Sequence, residues 1–234
     1  MSRALALAGC DLILWARHWR TLKRQADLLT EGRATAVPQV LVDAVDVTDS
    51  QAVRRGVRRA LERFGHIEIL INNAGIWEGD DAQRLSRARW ERVLATDLTA
   101  VFWVSQAVVP SMITRHYGKI INISSTSGVM ALPQGAAYGS AKAALMHLTR
   151  ILAVEWGPYG VRVVGIAPGL FRTDMTRDVF ADRAWSQQRQ AEIPLRRFGE
   201  PEDLEGLAVF LASSASDHIT GQTIIIDGGA SLTT

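Results

Sequence analysis

Short apolar runs alternate along the chain with longer segments whose apolar residues recur at helical spacing. The runs are rich in Val, Ile and Leu and lack regular polar alternation, which is typical of strands covered on both faces. They predict strands at Leu12 to Ala16, Val40 to Val45, Ile69 to Asn72, Lys119 to Ser124, Val161 to Ala167 and Thr223 to Asp227. Helices are predicted at Trp19 to Thr30, Asp49 to Phe64, Ser86 to Arg115 with a break or bend at Pro110, Ala137 to Trp156 and Glu200 to Ser213. This order predicts an α/β fold with a doubly wound parallel sheet and helices on both faces.

We expect a single domain over residues 1–234, because this length suits one sizeable core and no linker or repeat interrupts it. The apolar share of 47% and the charged share of 21% are ordinary for a globular protein. Five arginines fall on the predicted helix Asp49 to Phe64. A nucleic-acid surface would also need stacking aromatic residues or a recognised module, so we interpret them as a solvated helix face and expect no nucleic-acid partner.

The sequence predicts a cytoplasmic protein. Its single cysteine, Cys10, excludes an internal disulfide and fits a reducing compartment. The apolar stretch Ala4 to Ala8 is shorter than the roughly 7 to 15 residues of a signal peptide. No run approaches the roughly 18 apolar residues of a membrane span, so we expect no membrane partner. The five histidines lack ligand spacing, so we expect no metal.

Candidate chemistry lies in Tyr138-Gly-Ser-Ala-Lys142, with Ser125 thirteen residues before the tyrosine. Residues four apart share one face of a helix, which places Lys142 beside Tyr138. A neighbouring cation can lower an acid's pKa by about 1–3 units from the tyrosine value near 10. The spacing therefore predicts a tyrosine that exchanges protons near neutral pH. Ser124 and Ser127 are rivals for the serine role.

This arrangement resembles the catalytic signature of the short-chain dehydrogenase/reductase family, a serine followed by Tyr-x-x-x-Lys. Further motifs of that family occur in its order, each short on its own. They are Asp46-Val47, similar to the pair that contacts adenine; Asn72-Asn73-Ala74-Gly75, similar to the turn that lines the adenosine ribose; Pro168-Gly169 with Thr173, similar to the turn that holds the nicotinamide carboxamide; and Asp227-Gly228-Gly229, similar to a closing motif near subunit contacts.

The resemblance implies a Rossmann-like domain that transfers hydride reversibly between a nicotinamide and a carbonyl or alcohol carbon. Ser125 would hydrogen-bond the substrate oxygen, and Tyr138 would give or take its proton. Lys142 would lower the phenol pKa and bind the nicotinamide ribose. Family members commonly form homodimers or homotetramers, for which the helix Ser86 to Arg115 is the expected contact.

The N-terminus departs from the family, which opens with a strand and Thr-Gly-x-x-x-Gly-x-Gly. This chain has no such sequence, and Met1 to Gly9 resembles the back half of the next helix followed by a glycine stop. We therefore expect an N-terminally truncated sheet that lacks the first strand and the phosphate loop. Either the start was assigned too late, or the truncation is real and the chain must rearrange or lose the cofactor, which in the second case would make it a cofactor-free scaffold.

Two further departures lie near the predicted chemistry. Asp97 stands where the family usually has an Asn that supports a water relay to the active-site lysine, and Val164 replaces another usual Asn. An ionised Asp97 accepts hydrogen bonds but cannot donate them. We count Asp97 among the candidate catalytic residues, with simple tolerance of the change as the alternative.

Cofactor preference depends on the end of the second family strand, where a carboxylate binds a ribose hydroxyl and a cation binds a 2′-phosphate. Ala16 takes the carboxylate's place and Arg17 follows it. Since arginine forms charge-assisted contacts with phosphate, the sequence favours NADP(H), with NAD(H) as the other cofactor.

Residues 176–198 would form a mobile substrate lid. An apolar pocket could be lined by Trp77, Met130, Leu132, Phe171, Phe180 and Trp185, although these side chains could equally pack against helices or another subunit. The pattern is similar to both 3-oxoacyl-carrier-protein reductases and sugar-acid dehydrogenases, and the sequence does not choose between them.

Overall fold

The computed structural model describes residues 1–30 and 38–233. All six predicted strands form, and each bound lies within one residue of its prediction. The strands are β1 Leu12–Ala16, β2 Val40–Ala44, β3 Ile69–Asn72, β4 Gly118–Ile123, β5 Val161–Pro168 and β6 Thr223–Ile226. Their pairings are parallel, and the strands form a two-stranded sheet, β1-β2, and a four-stranded sheet, β3-β4-β5-β6. Among the described residues, β1 pairs only with β2, and β3 only with β4.

The helices follow the predicted pattern, with an added helix in the predicted lid. They are α1 Ser2–Leu7, α2 Trp19–Thr30, α3 Ser50–Phe64, α4 Arg87–Leu94, α5 Ala100–Arg115, α6 Ala136–Trp156, α7 Arg183–Glu192 and α8 Glu205–Ala212. Local sequence explains the bounds of α3. The Asp49 carboxylate accepts from the amides of Gln51 and Ala52 at its start, and Gly65 takes a left-handed conformation at its end.

Of the break or bend predicted at Pro110, the break is wrong, because α5 continues through this residue. Pro110 and Gln106 are both exposed, so water can satisfy the carbonyl that loses its helical donor. The interruption lies earlier, at the π-helical segment Ala95–Thr99 between α4 and α5. This segment carries Asp97, whose side chain is fully buried.

Helices cover both faces of the four-stranded sheet. Ile120 and Val163 pack with side chains of α3, α5 and α6. Their chain neighbours Ile121 and Val164 point to the opposite face, where they pack with Leu211 of α8. Since successive strand residues face opposite sides, this alternation confirms the predicted sheet with helices on both faces.

A buried polar network ties the sheet to two helices. Asn72 of β3 donates to Asn122 of β4 at 2.9 Å and to Ser105 of α5 at 3.0 Å. Asn122 in turn donates to Thr149 of α6 at 2.9 Å. Each such bond contributes about 1 kcal/mol to stability, and leaving one of these groups unpaired would cost more. The network fixes the helix that carries the candidate chemistry.

The helical run Arg87–Arg115 is long and apolar enough, by length and composition, to cross a membrane. Val101, Val104, Val108 and Met112 of this run are buried, and the last three belong to the core beneath the sheet. Those contacts are typical of a core helix.

Candidate active site

Most predicted site residues follow the carboxyl ends of parallel strands, where open α/β sheets bind ligands. The strand ends hold them in chain order: Arg17 after β1, Asp46 and Val47 after β2, Asn73, Ala74 and Gly75 after β3, Ser125 after β4, and Pro168, Gly169 and Thr173 at and beyond the end of β5. Helix α6 adds Tyr138 and Lys142 to this edge of the four-stranded sheet.

Close backbone packing brings Ser125 to Tyr138. A Cβ atom added at Gly128 would lie 2.9 Å from the Lys142 carbonyl carbon, and one added at Gly139 would lie 2.9 Å from the Ser127 carbonyl oxygen. The two glycines therefore let the turn after β4 rest directly on α6. The half-buried Tyr138 ring interacts with Ser125 through its hydroxyl, and the Lys142 Nζ lies 5.5 Å from the ring centroid.

The three candidate serines have different partners. Ser124 Oγ is buried and donates to the Lys142 carbonyl oxygen at 2.9 Å. Ser125 Oγ accepts from the Ser127 amide at 3.1 Å and donates to Ser127 Oγ at 3.2 Å. Ser124 thus fastens α6 to the end of β4, whereas Ser125 is the serine that reaches the phenol.

Lys142 is buried in an ion pair. Its Nζ lies 3.1 Å from Asp97 Oδ2 and donates to the Ile123 carbonyl oxygen at 2.9 Å. The other carboxylate oxygen of Asp97 accepts from the Ile76 amide at 2.9 Å. A Cβ at Gly75 would lie 2.9 Å from Oδ2, so the pair sits directly beneath the Asn-Asn-Ala-Gly turn.

The predicted lowering of the Tyr138 pKa is wrong in this structure. Burial raises the pKa of Tyr138 to about 12; Ser125 opposes the rise, and the charge of Asp97 adds to it. Burial also lowers the pKa of Lys142 and raises that of Asp97, while each partner's charge opposes the effect on the other. The helical spacing predicted the neighbours correctly, but Asp97 neutralises the cation that was to stabilise a phenolate.

The predicted apolar pocket is only partly assembled. Trp77 packs edge-on against Tyr138, with ring centroids 5.1 Å apart. Phe171 is instead buried against Gly199, and Phe180 packs against Phe198. The other predicted members, Met130, Leu132 and Trp185, are half-buried.

A cleft of about 580 Å³ opens beside Thr173, between the turn after β5 and the start of the predicted lid. Its lining residues are Arg172, Thr173, Asp174, Arg177, Phe180 and Pro201. The Arg172 guanidinium lies over the rings of Phe180 and Phe198 and pairs with Glu200 at 3.2 Å. Arg177 pairs with Asp174, so both arginines of the cleft have a carboxylate partner.

The residues predicted to contact the adenosine end of a cofactor lie at the surface. Arg17 is exposed and makes no hydrogen bond or ion pair with any residue in the described ranges, although its charge acts on Asp46. Asp46 Oδ1 accepts from the Thr48 amide and hydroxyl at 2.9 and 2.7 Å, and these bonds lower its pKa. Asn73 and Ala74 are also exposed.

The sequence reasoning missed the buried network and a second buried lysine, Lys119. Asn72, Asn122 and Lys119 are isolated polar residues in apolar strands, a signal that could have marked them as cross-links. Their partners come from distant segments, so their identities were not readable from local spacing.

The family model described as enoyl-(acyl carrier protein) reductase matches residues 1–231. The chain belongs to the short-chain dehydrogenase/reductase family. Gluconate 5-dehydrogenase of Gluconobacter oxydans is 39% identical over 98% of this chain and 88% of the relative. A 3-oxoacyl-[acyl-carrier-protein] reductase of Thermotoga maritima is 37% identical over 79% of this chain and 74% of the relative.

Solved structures share the fold. A gluconate 5-dehydrogenase from Burkholderia cenocepacia, in complex with NADP and tartrate, has a TM-score of 0.90 at 35% identity, over 99% of this chain and 89% of that one. These findings confirm the family, the Rossmann-like α/β fold and the class of oxidoreductases that act on carbonyl and alcohol groups. They do not favour the cofactor-free scaffold, and they do not bear out the predicted truncation.

Proposed function

We propose that this chain is an NADP(H)-dependent oxidoreductase that interconverts a carbonyl and a secondary alcohol, with Tyr138 as general acid/base. The meeting of Ser125, Tyr138 and Lys142 at the end of β4 carries this proposal. A bound nicotinamide supplies or accepts the hydride. Ser125 hydrogen-bonds the substrate oxygen, and Tyr138 gives or takes its proton.

The test of this mechanism compares two tyrosines. Tyr138→Phe should lower turnover by at least about a hundredfold, because it removes the transferable proton while leaving the ring in place. Cofactor affinity should be unchanged. Tyr159→Phe is the matched control, since Tyr159 is exposed in the segment between α6 and β5. Unchanged turnover in Tyr138→Phe would exclude the mechanism.

The residues present fit an NADP(H) molecule. Arg17 offers an exposed guanidinium without a hydrogen-bonding partner among the described residues, and Asp46, Val47, Asn73, Ala74 and Gly75 follow the neighbouring strands. Gly169 and Thr173 lie at the β5 end beside the cleft. The Burkholderia cenocepacia relative was solved with NADP, which supports the same preference here.

Cofactor choice is tested by titrating NADPH and NADH into the purified protein and following nicotinamide fluorescence. Arg17→Ala should weaken NADPH binding about tenfold or more, the size of a lost charged hydrogen bond, and leave NADH binding nearly unchanged. Arg24→Ala, at an exposed position of α2, is the control. Equal losses for both cofactors would show that Arg17 does not read the 2′-phosphate.

The substrate class that we propose is a sugar acid. The gluconate 5-dehydrogenases among the relatives support it. Assays with 5-ketogluconate and with a 3-oxoacyl thioester, each with NADPH, test the choice. Higher kcat/KM for the thioester would favour the acyl-carrier class instead.

We also propose a single cytoplasmic domain, with residues 176–198 as its substrate lid, that assembles as a homodimer or homotetramer. Exposed apolar side chains on α5 and α6, among them Trp103 and Val154, support a subunit contact there. Sedimentation equilibrium gives the mass in solution. Trp103→Glu should shift it toward the monomer, and a wild-type monomer would refute the assembly.

A further inference from the structure

Asp97 is placed by the fold to control Lys142. The π-helical segment Ala95–Thr99 points its side chain into the interior, where no part of it is exposed. One carboxylate oxygen is fixed by the Ile76 amide at 2.9 Å, and the other faces the Lys142 Nζ at 3.1 Å. The lysine in turn is fixed by the Ile123 carbonyl at 2.9 Å. The Asp97 carboxylate and the Lys142 ammonium thus each contact one backbone group and each other.

Tyr138 therefore lies beside a lysine whose positive charge is balanced by the carboxylate of Asp97. Among the described residues, the groups that act on its hydroxyl are Ser125 from the turn after β4 and Asp97 from the π segment. The Lys142 Nζ, one turn along α6, lies 5.5 Å from the centroid of its ring. A carboxylate at this position acts twice, since it opposes a phenolate directly and also neutralises the ammonium that would stabilise one. A neutral amide of the same shape would do neither.

We propose that Asp97 is a positioning residue: it holds the Lys142 ammonium between its own carboxylate and the Ile123 carbonyl, and thereby sets the pH range over which Tyr138 exchanges its proton. The inference rests on the proposed function, because Tyr138 is the acid/base of that reaction. The direction in which the Tyr138 titration moves follows from charge. Replacing Asp97 by an uncharged residue favours the phenolate, so Tyr138 loses its proton at lower pH.

The decisive experiment titrates the tyrosines of the cofactor-free protein by the ultraviolet absorbance of tyrosinate. Subtracting the curve of Tyr138→Phe isolates Tyr138 from Tyr117 and Tyr159. Asp97→Asn keeps the size of the side chain and should lower the Tyr138 midpoint by about one pH unit or more. An unchanged or higher midpoint would overturn the proposal.

A double-mutant cycle tests whether the effect passes through Lys142. In a Lys142→Met background, Asp97→Asn should shift the Tyr138 midpoint less than it does in the wild type, because no ammonium is left to release. Equal shifts in the two backgrounds would overturn the positioning role. If Asp97→Asn does not fold, Gly75→Ala replaces it. Its Cβ would press on Asp97 Oδ2 and should move the midpoint in the same direction, and no movement would overturn the proposal.

Turnover is a separate readout. Alcohol oxidation needs the phenolate, so its pH profile in Asp97→Asn should move to lower pH by the same amount as the titration midpoint. Carbonyl reduction needs the protonated phenol and should decline at lower pH than in the wild type. A titration shift without any turnover would contradict the proposed function alone, whereas turnover without a titration shift would contradict this inference alone.

Discussion

Two buried lysines lie at opposite ends of β4. Lys119, near its start, has its Nζ 2.7 Å from the Ser213 carbonyl, 2.7 Å from Ser216 Oγ and 2.8 Å from Asp217 Oδ1. Lys142, packed at the strand's end, has two partners among the described residues, the Ile123 carbonyl and Asp97. An ammonium has three protons to donate, so protein groups in the described ranges accept all three from Lys119 and two from Lys142.

The difference in partners indicates that Lys119 has a structural role and that Lys142 has a role in the reaction. Lys119 joins the sheet to the turn after α8, and the side chain of its Asp217 partner is one-third exposed. Lys142 has a fully buried partner and a third proton that no protein group in the described ranges accepts. A buried ion pair is weak grounds for stability, whereas an incompletely bonded lysine is available to a ligand. The two ends of β4 should therefore respond differently to the same substitution.

Lys142→Met should give the largest effect, a fall in turnover of about a hundredfold or more, since the phenol loses its cation. The free energy of unfolding should change less than in the corresponding variant of Lys119. Asp97 can take up a proton once its partner is gone, because burial already raises its pKa. Steady-state kinetics and urea unfolding measure the two quantities. Normal turnover in Lys142→Met would remove the distinction between the lysines.

Lys119→Met should instead lower the free energy of unfolding by about 2–3 kcal/mol, because it leaves a buried carbonyl and a carboxylate without their donor. Turnover per folded molecule should be unchanged. The chain's third lysine, Lys23, is exposed on α2 and supplies the control variant Lys23→Met, which should alter neither quantity. Lost turnover in folded Lys119→Met would show that the two ends of the strand are coupled.

The fold was predictable from the chain because each strand is a short apolar run bounded by polar or glycine residues. Local signals also set the helix ends, such as Asp49 before α3 and Gly65 after it. The interruption of the long helix was not predictable in this way. Pro110 is the residue that usually breaks a helix, but it lies on the exposed side, while the π segment at Asp97 has no comparable sequence signal.

The sequence predicted which residues of the site lie next to each other, but it did not predict how burial and charge change their pKa values. The four-residue spacing correctly joined Tyr138 to Lys142, and Ser125 and Gly75 follow the carboxyl ends of β4 and β3. The direction of the Tyr138 pKa depends on burial and on Asp97, which arrives from another helix. The partners of Lys119 lie more than ninety residues away, and no local pattern connects them.

The raised pKa of Tyr138 predicts a smaller, pH-dependent effect on stability. In the folded protein this pKa is about 12, against the ordinary value of 10.0. Below pH 10 the phenol is protonated in both states, so its contribution is fully present. Between pH 10 and 12 the unfolded chain ionises first, and stability falls by at most about 1.4 kcal/mol per pH unit. Urea unfolding across this range should show a shallower decline for Tyr138→Phe, and parallel curves would refute the raised value.

Ser216→Ala should have the smallest effect on the free energy of unfolding. It tests whether Lys119 needs all three partners. The substitution removes the hydroxyl that accepts from Nζ at 2.7 Å and donates to the Leu211 carbonyl at 3.0 Å. Ser213 and Asp217 still hold the ammonium, so the loss should be about 1 kcal/mol in urea unfolding, with turnover and its pH profile unchanged. The exposed Ser140 supplies the control variant Ser140→Ala. A loss as large as that of Lys119→Met would mean that the three contacts act as one unit. No loss would mean that two partners already satisfy a buried lysine, and that the number of protein partners does not distinguish Lys142 from Lys119.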